Sequence, residues 1–215
     1  MRSIRLWLCV LAAALLSGLA LAGPMTRAQA LAALAKTDAA ARLAGIERLA
    51  EVGVAADAGR VLERLGDIDP RVRQVAASAV WQLWGRSGDA AVDKLYARVL
   101  GQMQASALDE ALVTFNEVVR RKPDFAEGWN KRATIWFLLG ENEKSLLDCE
   151  KVLERNPRHF GALSGAGQIH LQLGNPRRAL EMFRRAVEVN PTLEGPAHLI
   201  PMIEQHLSEG DKGRT

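Results

Sequence analysis

The sequence predicts an all-α protein, an α-α superhelix in which antiparallel helix pairs stack as a solenoid. Three observations carry this. Pro123, Pro157 and Pro191 stand 34 residues apart, and each closes a segment of helical pattern, because proline disfavours helical geometry in the residue before it. Between two of them, Trp129, Ala133, Trp136 and Leu139 recur at helical spacing. Gly140-Glu141-Asn142 interrupts, and Leu146, Cys149, Val152 and Leu153 resume the spacing. Upstream, Asp38 to Arg42 returns as Asp69 to Arg73, 31 residues later. A single short helix pair buries too little apolar surface to stand alone, so units repeated at a fixed period are expected to stack on one another.

Residues 1–22 read as an export signal. Arg2 and Arg5 precede an apolar run from Leu6 to Leu21, and Ala20-Leu21-Ala22 forms a small-x-small cleavage site. Cleavage is expected after Ala22, giving a periplasmic or secreted protein with no membrane span in the mature chain. The alternative is an uncleaved N-terminal membrane anchor. The whole chain carries a net charge of +3, and removing Arg2 and Arg5 leaves about +1. Without a concentrated basic surface, nucleic acid is excluded as the main partner.

Residues 23–88 are alanine-rich and helical. Asp69 is suited to cap a helix whose first position is Pro70. Asp and Arg four apart lie on one helix face and can pair. The shared pattern, Asp-x2-(Ala or Val)-Arg followed by an apolar stripe, resembles the HEAT-repeat family. Val54 to Leu65 is expected as the second helix of the first unit. Asp89 to Met103 is expected both to close the second unit and to open the following array, making one continuous stack.

Residues 89–191 hold three units, at about 92–123, 124–157 and 158–191. Eight residues before each spaced proline stands Phe115, Cys149 or Phe183. Twelve before stands Ala111, Ser145 or Ala179. This arrangement resembles the tetratricopeptide repeat family. Leu163-Ser164-Gly165-Ala166-Gly167 with Ala179, Phe183 and Pro191 matches it best. Arg132, Ala133, Trp136, Ser145 and Cys149 depart from the pattern. The resemblance implies a concave groove, lined by the first helix of each pair, that holds an extended peptide or a partner helix. By position, the groove residues it implies are Tyr96, Leu100 and Met103 in the first unit. They are Asn130, Thr134 and Phe137 in the second, and Ser164, Gln168 and Leu171 in the third. Some family members use a lysine-and-asparagine clamp for a terminal carboxylate. Only Asn130-Lys131 is present here, because the counterparts are Tyr96-Ala97 and Ser164-Gly165.

Residues 192–215 read as a capping helix and a flexible tail. Leu199, Ile200, Ile203 and Leu207 share one face, Pro201 is expected to kink the helix or mark its start, and Ser208 to Thr215 is expected to fray. Cys149 is the single cysteine after the signal and takes the place of a buried aromatic, so it reads as a core residue and not a nucleophile. His159, His170, His198 and His206 show no metal-binding spacing. No nucleophile elbow, phosphate loop or dinucleotide fingerprint is present. No enzyme activity and no cofactor are expected. The expected role is an adaptor or scaffold in the cell envelope. The alternative is a periplasmic chaperone or assembly factor, and a homo-oligomer in which one copy fills another's groove is a further arrangement.

Overall fold

The computed structural model describes residues 23–212. The expected signal, residues 1–22, lies outside the described residues. Every regular element among them is helical: α1 (Arg27–Ala33), α2 (Ala39–Val52), α3 (Ala58–Leu62), α4 (Pro70–Trp84), α5 (Ala90–Gln104), α6 (Leu108–Arg121), α7 (Ala126–Leu138), α8 (Asn142–Arg155), α9 (Phe160–Gln172), α10 (Pro176–Val189) and α11 (Glu194–Lys212).

The starts of the N-terminal helices follow side-chain caps that satisfy free backbone N–H groups. Thr26 and Gln29 form a reciprocal box at α1, Asp38 accepts from the Ala41 N–H at α2, and Asp69 accepts from the Arg71 N–H at α4. With both aspartates acting as caps, the expected Asp–Arg pairs four residues apart do not form. Arg42 instead grips Asp67 through two bonds of 2.7 and 2.8 Å, and it also bonds the carbonyls of Lys36 and Thr37. Arg73 repeats the backbone part of this arrangement 31 residues on, donating to the carbonyls of Asp67 and Ile68. The helix expected from Val54 to Leu65 is shortened to a 3-10 turn at Ala55–Asp57 followed by α3. Asp57 explains the break: it takes the Val54 N–H and two bonds from Arg27, tying the turn to α1. Helices α1 to α4 close over Ile46, Leu49, Val61, Leu65, Val72, Val80 and Leu83, all fully buried.

From α5 onward the helices pair antiparallel: α5 with α6, α7 with α8, and α9 with α10, with α11 packed on α10. The 34-residue period reappears in the backbone. The N–H groups of Ala107, Glu141 and Asn175 reach the carbonyls of Gln102, Trp136 and His170 at 2.8–2.9 Å. This six-to-one bond needs a left-handed residue just past the helix. Gly140 (φ 78°) and Gly174 (φ 71°) supply it without steric cost, and Ser106 (φ 58°) holds the same position in the first unit. Close approach of α9 and α10 requires Gly167, where a Cβ would fall 2.6 Å from the Phe183 ring.

The expected continuous stack is broken between α4 and α5, which do not pack as a helix pair. The halves meet instead where the end of α4 lies against the start of α9. Trp81 and Phe160 pack edge to face at 5.1 Å, and Trp84 stacks on His159 at 4.1 Å. Phe160, Val189 and Leu193 thereby join the core of α1 to α4. At the other end, Pro201 sits inside α11, which starts seven residues earlier and runs past Ser208 to Lys212. The Ser208 hydroxyl bonds the Gln205 carbonyl, and Gln205 bonds Glu209, which supports the last turns.

Candidate functional site

The repeat register locates a gap. Phe115 and Phe183 are buried between their helix pairs, whereas the equivalent position in the middle unit is Cys149. A sulfur there replaces a phenyl ring. Opposite it, α9 carries Gly165, where a Cβ would lie 3.8 Å from the Cys149 sulfur, while the place of a side chain at Gly161 is taken by the Trp81 ring. The result is an open cavity of about 170 Å³ between α7, α8 and α9. Its walls are Asn130, Ala133, Thr134 and Phe137 from α7, Ser145 and Cys149 from α8, and Gly161, Gly165, Gln168 and Ile169 from α9. None of these side chains is charged. Burial, reinforced by Asp148 and Glu150, pushes the Cys149 thiol up to about 12, so it stays protonated and serves as an apolar wall.

A buried polar hub holds one wall. Glu127, 2% exposed, stands in the first turn of α7. Its Oε2 meets His159 Nε2 at 2.9 Å and accepts from Asn130 Nδ2 at 3.0 Å. Its Oε1 accepts from the Tyr96 hydroxyl at 3.3 Å and pairs with Lys131 at 3.2 Å. Burial alone would raise this carboxyl, but the His159 and Lys131 contacts outweigh it and hold Glu127 below the usual carboxylate range. His159 replaces the apolar residues Phe125 and Leu193 of the other units. Its Nδ1 accepts the Ala162 N–H at 3.1 Å and caps α9, so Nε2 carries the proton that points at Glu127. One carboxylate therefore joins α5, α7 and the start of α9, and Trp84 of α4 covers the imidazole.

Four of the nine residues placed on the groove by resemblance share the cavity: Asn130, Thr134, Phe137 and Gln168. The other five lie elsewhere. Tyr96 is 9% exposed and packs on Phe115 and Phe125, and Leu100 and Met103 pack on the same cluster. Leu171 faces Phe183 and Ile203 beneath α11. Ser164 is half-buried, and among the described residues its hydroxyl has no hydrogen-bond partner. Of the three equivalent pairs on α7 and α9, Thr134 and Gln168 both reach the cavity, whereas Asn130 and Phe137 reach it and their counterparts Ser164 and Leu171 do not.

A larger cavity, about 390 Å³, lies between α3, the ends of α4 and α8 and the start of α7. Most of its charged lining serves the fold: Arg86 bonds the carbonyls of Ala50 and Gly53 at the end of α2, Lys122 pairs with Asp124, and Arg155 bonds the Pro123 carbonyl. The smaller cavity is the stronger candidate because its polar atoms remain available. Among the described residues, no cluster of three or more histidine, cysteine or acidic side chains could hold a metal. No described helix is long and apolar enough to cross a membrane.

Helix pairs with a 34-residue period and an uncharged cleft between successive first helices define a helical-repeat scaffold. A profile of the tetratricopeptide repeat matches residues 161–193. A TPR repeat-containing protein of Rhizobium etli is 33% identical over 140 residues, spanning 65% of this chain and 69% of that protein. The chain belongs to the tetratricopeptide repeat family. Among solved structures, the Sgt2 TPR domain from Aspergillus fumigatus superposes with a TM-score of 0.54 at 17% identity, covering 59% of this chain and 85% of that domain. The first TPR of Spaghetti bound to the HSP90 peptide SRMEEVD gives 0.52 at 20% identity, covering 54% of this chain and 93% of that one. At such identities these structures share the fold.

Proposed function

We propose that this protein is a non-enzymatic adaptor that holds a peptide segment of a partner protein in the cleft between α7 and α9. The observation that carries the reading is the cavity opened by Cys149 and Gly165. It lies between the first helices of two successive units and is walled by Phe137 and Ile169 for apolar contact and by Asn130, Thr134 and Gln168 for hydrogen bonds. Peptide binding by a similar fold, in the Spaghetti domain, supports it. We place the adaptor in the cell envelope on the strength of the Arg2–Arg5 start, the apolar run and the Ala20-Leu21-Ala22 site. We read α1 to α4 as two HEAT-like units, supported by the matching backbone bonds of Arg42 and Arg73. Crosslinking in cells, copurification and mass spectrometry of the native chain beside Phe137→Ala/Gln168→Ala test the adaptor role. A partner that appears with the native chain and vanishes with the folded variant supports it. Identical partners with both refute the cleft as the site.

A further inference from the structure

We infer that the cleft selects an extended chain segment offering main-chain N–H groups and rejects a carboxylate. This deepens the reading of the cleft as a peptide site and rests on it.

The selectivity follows from how each polar wall atom is already bonded. Glu127, met by four donor groups, acts as an acceptor, so the nitrogen of the Asn130 amide must face it. The Asn130 oxygen is thereby turned away from Glu127, and it carries no hydrogen bond among the described residues. The Thr134 hydroxyl donates to the Asn130 carbonyl at 3.0 Å. The Ser145 hydroxyl donates to the Ala133 carbonyl at 2.7 Å. Each hydroxyl has used its one hydrogen and has lone pairs left. Three wall oxygens are therefore acceptors, and the full negative charge of Glu127 lies directly behind one of them.

The neighbouring cation does not reverse this polarity. Lys131 is held by Glu127 at 3.2 Å and lies over the Trp81 ring at 5.2 Å. Gln168, exposed on the opposite wall, can turn either end of its amide inward and so does not discriminate. A carboxylate can only accept, and it would meet acceptors after losing its water. A helix offers little more, because beyond its first turn its N–H groups are bonded internally. An extended segment leaves its N–H groups free. The bare backbone of α9 at Gly165 gives such a segment room to lie close.

N-acetyl-leucine N-methylamide and N-acetyl-leucine serve as probes, differing in whether the group beyond the leucine is an N–H donor or a carboxylate. Each is titrated into the isotope-labelled full chain while the side-chain amide signals of Asn130 and Gln168 are followed by NMR. The diamide is expected to shift both signals and to half-saturate at a concentration at least tenfold lower than the acid. Thr134→Val, an exposed and nearly isosteric change, is expected to weaken the diamide about two- to tenfold, the range of one neutral hydrogen bond. Equal or tighter binding of the acid at these signals, or no effect of Thr134→Val, overturns the selectivity and leaves the cleft as a peptide site. Failure of both probes to shift either signal overturns the cleft itself, and the selectivity with it.

Discussion

Replacing Glu127 with glutamine changes a single atom, from oxygen to nitrogen, and the structure indicates a cost far larger than that suggests. The carboxylate is 2% exposed and meets donor groups of Tyr96, Asn130, Lys131 and His159. Glutamine keeps one acceptor oxygen and turns an NH2 toward the other pair of donors. His159 cannot relieve the clash by moving its proton, because Nδ1 is needed for the Ala162 N–H. Turned toward His159 and Asn130, the NH2 opposes two buried donors. Turned toward Tyr96 and Lys131, it can donate to the Tyr96 hydroxyl and opposes only Lys131, whose side chain is 28% exposed. Each unsatisfied buried group costs about 1–3 kcal/mol. Together with the loss of a paired buried charge, the expected destabilisation is about 3–5 kcal/mol. Urea unfolding followed by far-ultraviolet circular dichroism measures it. Tyr96→Phe, which removes the longest of these bonds at 3.3 Å, is expected to cost about 1 kcal/mol or less. A loss below about 1 kcal/mol for Glu127→Gln, or a reversed order of the two variants, would refute the hub.

Ser106→Gly relieves a left-handed serine that costs about 1–2 kcal/mol, partly offset by glycine's freedom in the unfolded chain. A net gain of about 0.5–1 kcal/mol is expected in the same unfolding assay, and a loss would contradict the repeat register. Acid should weaken the N-terminal half. The bond from Arg27 holds Asp57 low, and Arg71 brings Asp69 to about 2. Burial would raise Asp67, but its bond to Arg42 holds it below the usual range. Folded values below the unfolded ones of about 4 mean that this stability is full above that pH and is lost as pH falls toward 2. The urea midpoint should therefore drop between pH 5 and 3, and a constant midpoint would exclude these pairs. Cys149 should react slowly with a thiol reagent in the folded chain at pH 8 and rapidly in denaturant, since its thiol lies near 12 and is buried. Equal rates would show that the position is open.

Much of the repeat array was legible in the sequence, because prolines, small residues and aromatics at a fixed period report directly on helix ends and close packing. Pro157 and Gly140 marked their turns correctly. The docking of the N-terminal half was not legible. Trp81 and Trp84 meet His159 and Phe160, partners nearly eighty residues away with no shared period. Their spacing indicated packing but not what they pack against. The cleft was half legible. Asn130, Thr134, Phe137 and Gln168 follow from the repeat register, whereas Ser164 and Leu171 follow from the same register and lie outside the cavity. Cys149 was readable as a departure from the repeat, and the space it leaves was not, since that depends on Gly165 facing it across the cleft. Glu127 carried no signal as a lone acidic residue. The substitution of His159 for Phe125 and Leu193 at the same repeat position is the mark that could have drawn attention to it.

If the gap at Cys149 is where a partner's chain sits, filling it with Cys149→Phe removes the partner. The variant restores the aromatic present at positions 115 and 183 and fills the cavity without touching the surface. Partner capture from cells by the native chain and by Cys149→Phe, with the melting temperature of each recorded, is the measurement. Cys149→Phe is expected to be at least as stable as the native chain and to have lost its partner. A folded variant that retains the same partner would contradict it.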